Sequence, residues 1–148
     1  MAGVDYLKAF SRWMVARTGA VEGKSQFVNV LPDDTTGVAT FILEEKSPPP
    51  HVLHSSSYIR RPVLSIHTRS TGPVSGDYPD ITNARNRAQQ CYQACLDLAG
   101  QSLLPSSSST SGENWLFAIP ESEPYLYDRD DHDRVVFSFR VGIELQAP

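Results

Sequence analysis

The sequence is short of most features that mark a secreted scaffold, a membrane protein or a catalyst. It has only two cysteines, Cys91 and Cys95, four residues apart in a helical pattern. Two thiols cannot make a disulfide framework, and i,i+4 helical geometry suits a bridge between them poorly. Read as small apolar residues on a buried helix face they need no redox or metal role, and they are compatible with a reducing cytoplasm. No run approaches the ~18 apolar residues of a membrane span. Residues 1–6 lack a basic stretch and a long apolar run, so no signal peptide is expected. Positive charge is also scarce. Thirteen Lys and Arg stand against 17 Asp and Glu, a formal charge of −4, which is not the basic footprint of a DNA-gripping domain. The chain could still sit beside DNA without holding it, because phosphate attraction follows local Lys and Arg contacts.

Motifs of chemistry are missing as well. There is no Gly-x-Ser-x-Gly elbow and no dinucleotide fingerprint, and Gly23-Lys24 lacks the earlier glycine of a phosphate loop. His51, His54, His67 and His132 have no mutual spacing that would make a metal site. No set of residues meets the criteria for a catalytic centre, and an enzyme is not expected.

What is present is a globular chain of 148 residues, sized for one domain over 1–148. Residues 4–17 read as an amphipathic helix. Tyr6, Phe10, Trp13 and Met14 fall on one stripe, Val4 and Leu7 flank it, and Lys8, Arg12 and Arg17 lie opposite. Residues 26–31 and 38–44 read as two strands joined around the turn cluster 32–37, a plausible hairpin. Residues 46–61 read as irregular, because Pro48, Pro49 and Pro50 remove three backbone donors. A third strand follows at 63–69, with Leu64 and Ile66 on one face and Ser65, His67 and Arg69 on the other. Residues 70–79 form a second loop.

The clearest helix spans 81–99. Ile81, Ala84, Ala88, Cys91, Tyr92, Cys95, Leu98 and Ala99 make its apolar stripe, while Arg85, Asn86, Gln89, Gln93 and Asp97 lie opposite. Asp80 is its N-cap candidate and Gly100 its terminator. A serine-rich link at 106–111 leads to a strand at 115–119. The last strand, 134–145, alternates without a miss: Val135, Phe137, Phe139, Val141, Ile143 and Leu145 face one way, and Arg134, Ser138, Arg140 and Glu144 the other. The expected fold is α+β, a mainly antiparallel or mixed sheet of about five strands, with the N-terminal helix and the long helix on one face. The stripe of 81–99 should pack on the odd-numbered face of 134–145.

The most charged stretch is 128–134. Asp130, Asp131, His132 and Asp133 invite a metal reading, as in a small metal-dependent hydrolase. Calcium loops, however, alternate their ligands and need a glycine bend, and neither feature occurs. A solvated turn or an ion-pairing surface accounts for the same residues. A monomeric adaptor domain is a third reading.

The strand Arg61-Pro62-Val63-Leu64-Ser65-Ile66, the polar loop and the long helix after it form one recognisable unit. A second unit is the strand 115–119, the stretch Pro120 to Pro124, a charged turn ending in Arg134, and the strand Val135-Val136-Phe137-Ser138-Phe139-Arg140-Val141. Together, from about 26 to 145, they resemble the tail terminator (minor capsid, tail-completion) proteins of long-tailed bacteriophages. In such relatives the charged turn often carries Asn-Gly before the arginine, whereas Asp133 stands there in this chain.

The resemblance implies a structural virion protein without catalytic residues, cofactor or metal. Such a protein forms a ring, usually of six subunits, that caps the tail tube, stops its growth and joins the tail to the head connector. Its implied partners are copies of itself, the tail tube protein and the head-connector protein. DNA passes through the ring without specific binding, and no membrane is involved. The implied location is the host cytoplasm during assembly and then the tail-neck region of the virion.

Two further expectations concern contacts. The segments 46–60 and 70–79 should lie outside the compact core and touch ring neighbours or the tube, since long loops in compact domains are often functional. Tyr125, Tyr127, Asp128, Arg129, Asp130 and Arg134 should lie at a subunit boundary, because aromatics and arginine are enriched at interfaces. On that reading, Arg129→Glu and Arg134→Glu both weaken assembly and leave the isolated subunit's stability unchanged.

Overall fold

The computed structural model describes residues 6–32, 37–46, 51–54, 57–72, 80–103 and 113–146. Among these described residues, two helices, α1 (Tyr6–Thr18) and α2 (Ile81–Leu96), pack with a nine-stranded mixed sheet. The strands are β1 (Gln26–Val28), β2 (Ala39–Lys46), β3 (His51–His54), β4 (Ser57–Arg60), β5 (Val63–Arg69), β6 (Gln101–Leu103), β7 (Glu113–Pro120), β8 (Tyr125–Arg129) and β9 (Val135–Gln146). The α+β class is as read from the sequence, with nine strands where about five were expected.

The alternation in β9 sets the architecture. Its odd-numbered side chains from Val135 to Leu145 are all buried, Phe139 to Leu145 in the main core cluster and Val135 and Phe137 in a smaller one with Ala84 and Ala88. Twelve residues long, β9 is the spine of the sheet. One edge of β9 pairs with β5 and then β4, its other edge with β8 and then β7. Ser138 thus lies between His67 and Tyr125, and Leu145 between Arg60 and Trp115.

Helix α2 lies where its stripe predicts. Ala84, Ala88, Cys91 and Cys95 are buried, and the Tyr92 ring meets Phe139 edge-on at 5.9 Å. The Asp80 carboxylate accepts the Asn83 amide at 3.2 Å, the expected N-cap. The helix ends at Leu96, so Ala99 is exposed beyond it. Gly100 then takes φ +75, a left-handed turn that glycine adopts without strain, and its amide donates to the Trp115 carbonyl at 2.9 Å. That turn lays β6 beside β7, a pairing the sequence did not suggest. Helix α1 docks beside α2 through the Trp13 Nε1–Ala94 carbonyl bond at 3.0 Å and the Arg17–Asp97 ion pair. Its Phe10 stacks on Trp115 at 5.4 Å.

Three sequence expectations need correction. Strands β1 and β2 are not a hairpin but run parallel, with Gln26 opposite Thr40. The buried Gln26 side chain donates to the Ser11 carbonyl and hydroxyl, both at 2.7 Å, which fixes β1 beneath α1. Asn29, at φ +59, then turns the chain away before it can fold straight back.

Residues 51–54 and 57–60, read as irregular, form the antiparallel hairpin β3–β4. Their prolines lie upstream of the paired residues, so the donors of the hairpin are intact. Residues 125–129, with Asp128 and Arg129 read as part of a charged turn, are strand β8. The loop expectation for 73–79 lies outside the described residues.

The polar face of β5 also differs from a solvated one. Ser65, His67 and Arg69 are buried although, among the described residues, they lie on the face of β5 opposite the helix-packed Leu64 and Ile66. The Ser65 hydroxyl donates to Glu45 at 2.8 Å, and Glu45 pairs with Arg140 at 2.6 Å. Arg69 donates to the Pro32 carbonyl. His67 is stacked on Phe41 at 4.9 Å, with the Tyr127 ring 5.4 Å away. A layer of polar and aromatic side chains thus replaces a helix on this side.

Candidate assembly interface

The six residues proposed for a subunit boundary fall into two groups. Asp130 and Arg134 build the turn between β8 and β9. One Asp130 oxygen accepts the His132 and Arg134 amides at 3.0 and 2.9 Å, and the other accepts Arg134 Nε at 2.7 Å. The Asp130 amide donates in turn to the Arg134 carbonyl. Arg134 is buried, at 5% exposure, so its guanidinium is a structural tie. Asp133 adopts φ +59, a backbone state that aspartate tolerates better than most side chains.

Partial burial alone would raise the Asp130 pKa. The hydrogen bonds from Arg134 and His132, with the Arg134 charge, outweigh it and hold the carboxyl below its ordinary value.

The second group is outward-facing. Tyr125, Tyr127, Asp128 and Arg129 belong to β8, of which every residue is exposed. Asp128 accepts the amide of Arg129, and Arg129 pairs with Asp133 at 3.0 Å between two exposed side chains, an arrangement worth little to stability. Leu126, which composition did not single out, is 64% exposed, beside Tyr125 at 47% and Tyr127 at 58%. Phe117 and Ile119 on β7 add 37% and 59%. Five of the exposed large hydrophobics therefore lie within one stretch of β7–β8. The missed signal was Leu126 itself, an aliphatic residue between two tyrosines in an otherwise charged segment.

Two clefts flank this stretch. One, of about 380 Å³, lies between β8 and the start of α2, floored by Ile81, Leu126, Val135 and Phe137, with Arg85 and Arg129 at its rim. Arg85 lies over the Phe137 ring at 5.4 Å. The other, of about 330 Å³, is lined by Val63, Phe117, Ile119 and Gly142 on the helix-free side of the sheet.

Neither cysteine is poised for chemistry. Burial pushes the Cys91 thiol up to about 12, against smaller opposing effects of Arg87 and Thr40. Burial, with Cys91 beside it, also holds Cys95 well above its ordinary value. Among the described residues no three His, Cys, Asp or Glu side chains are placed to share an ion, the 130–133 cluster included. No helix among them is long and apolar enough to cross a membrane.

His67 should make the fold sensitive to acid. Its burial lowers its pKa, and the nearby Glu45 charge offsets this in part. The unfolded chain therefore takes up the proton first as pH falls through about 6.5. Stability present above that pH should decline below it, until the folded-state pKa is passed. Asp130 adds a further loss of stability below about pH 4, where its ordinary pKa lies. Thermal melts between about pH 7.5 and 5 should show the first decline, and His67→Gln should flatten it. An equal slope in parent and variant would assign the decline elsewhere.

No family model and no curated protein matches the sequence. Among solved structures, the chain is similar to a chain of one described as "Virion of native gene transfer agent (GTA) particle", at 16% identity and a TM-score of 0.38. That match covers 90% of this chain and 84% of the other.

Proposed function

We propose that this chain is a non-enzymatic assembly subunit that forms a ring on a phage-type tail, stops tube growth and offers a surface to the head connector. The observation that carries the assembly reading is the exposed apolar stretch Phe117, Ile119, Tyr125, Leu126 and Tyr127 on β7–β8. Five large hydrophobics exposed on two successive strands, Leu126 on the helix side and the others on the helix-free side, are surface of the kind that marks a protein contact, and their mixture with Arg129 and Asp128 has the composition of an interface. The order of elements along the sequence, which resembles tail terminators, supplies the kind of assembly. Ring neighbours, the tube protein and the head-connector protein are its proposed partners, with DNA passing through the lumen unbound.

A ring of identical subunits joins two different patches at every boundary. One patch is assigned to β8, with Tyr125, Leu126, Tyr127, Asp128 and Arg129. Leu126→Asp should weaken self-association by more than about 2 kcal/mol, the scale of an interface hot spot, and leave the far-ultraviolet circular dichroism of the subunit unchanged. Val30→Asp, at a residue 61% exposed just beyond β1, is the matched control and should leave association as it is. Sedimentation velocity reads both. Equal association of parent and Leu126→Asp would remove β8 from the boundary.

A further inference from the structure

We infer that the second patch of the subunit boundary is the β3–β4 hairpin, which adds as strands to the free edge of β8 on the next copy. This rests on the ring reading above and supplies the contact that the reading leaves open.

The hairpin is poorly held by its own sheet. It joins β9 only through Ile59 opposite Gln146 and Arg60 opposite Leu145. Among the described residues β3 pairs with β4 alone. A two-stranded hairpin by itself is marginally stable at best, so an arm of this kind gains most from a third strand. Strand β8 offers the complementary half. Its inner edge pairs with β9, and its outer edge has no strand partner among the described residues. Asp128, Arg129 and the bulge between Leu126 and Asp128 blunt the far end. Tyr125, Leu126 and Tyr127 remain as the adhesive part. Main-chain hydrogen bonds at an open edge supply affinity, and pockets for alternate side chains supply register. Here the cleft floored by Leu126 and Phe137 lies on the helix side of the edge, while Tyr125 stands opposite Ser138 and Tyr127 meets His67 on the other side.

Placement favours a second copy over an internal contact. The hairpin joins β9 at residues 145 and 146 on one edge, and β8 joins β9 at residues 135 to 138 on the other. The two attachment points are roughly 25 Å apart at the usual rise per strand residue, at diagonally opposite corners. An arm at one corner and an open edge at the other make a head-to-tail contact, the heterologous kind that closes rings.

Charge agrees. Residues 46–61 carry Lys46, Arg60 and Arg61 and no carboxylate, with Arg61 paired to Glu144 and Arg60 over the Tyr6 ring, whereas 121–134 carry six carboxylates against Arg129 and Arg134. Arg129 and Arg134 are taken up by Asp133 and Asp130. Glu123, Asp128 and Asp131 remain as surplus negative charge beside the edge. Opposite fields at two patches of one chain steer copies into this pairing and away from arm-to-arm or edge-to-edge contacts.

The test is site-directed cross-linking of the full chain. Val52→Cys in β3 and Leu126→Cys in β8 are combined, and a short bis-maleimide is added. The native thiols, buried and protonated, stay silent. The double variant should give a ladder of covalent multimers on a denaturing gel, and neither single variant should. Mass photometry of the same samples reads the uncross-linked assembly, and melting curves verify folding. Ring-sized masses without a ladder would overturn the arm-to-edge contact while the ring reading stands. Covalent dimers from Leu126→Cys alone would overturn it in favour of edge-to-edge pairing. Monomers at every concentration, with no ladder, would overturn both.

Discussion

Phe139→Ala should lower the unfolding free energy by about 3–5 kcal/mol, the range for removing a buried aromatic ring from a core. Phe139 is fully buried, opposite Ile66 on β5 and under the edge of Tyr92. It sits where α2 presses on the central strand, so its removal leaves a cavity bounded by a helix on one side and a fully paired strand on the other. Neither can collapse into the space without breaking a ladder or a helix contact, which places the cost high in the range. For a chain of this length the midpoint should fall by about 2–4 °C per kcal/mol. Urea denaturation reads the change directly. The parent slope should persist in the variant, because the surface exposed on unfolding is the same. A shift below about 1 kcal/mol would contradict the placement of this ring between helix and sheet.

Arg134→Glu and Arg129→Glu should behave as opposites, although both lie in one charged segment. Arg134→Glu removes the bond to Asp130 and sets a second carboxylate against it at a partly buried site. Losing a hydrogen bond to a charged group there costs about 1.5–3 kcal/mol. The turn would open and β8 would lose its register against Val135 and Val136. Arg129→Glu breaks only an exposed pair with Asp133, worth at most about 1 kcal/mol. Its consequence should be in assembly, since Arg129 stands on the outward face of β8. The expectation from composition alone, that both changes leave the subunit's stability untouched, is kept for Arg129 and withdrawn for Arg134. Thermal melting of the two isolated variants separates them. Equal melting points would mean that the Arg134–Asp130 tie does not hold the turn.

Where burial is periodic, the sequence revealed the structure closely. The apolar residues of β9 alternate because one face meets the core, and those of α2 recur at helical spacing for the same reason. Strand β8 has no such signature. All five of its residues are exposed, so nothing forces an apolar–polar alternation, and Tyr-Leu-Tyr-Asp-Arg reads as a charged turn. The β3–β4 hairpin was hidden by three prolines that precede it, since the exclusion of strand from Pro48 to Pro50 was carried too far along the chain. The parallel pairing of β1 depends on a long-range bond from Gln26 to Ser11, which no local pattern encodes.

The same limit applied to the interface. Composition singled out the charged segment, but it could not tell Arg134, buried in a turn, from Arg129, exposed on a strand. One local cue was available. Asp130, with His132 two residues on and Arg134 four residues on, has the spacing at which an aspartate caps a hairpin turn through nearby amides.

On the proposed reading, the chain assembles with itself into a closed ring through two different patches. Sedimentation velocity of the purified protein over a wide concentration range tests it most directly. A closed ring predicts one species at a fixed multiple of 16.4 kDa, six being the expected number, with no further growth at high concentration and a shift to monomer in Leu126→Asp. A monomer at every concentration, or a mass that climbs without limit, would contradict it.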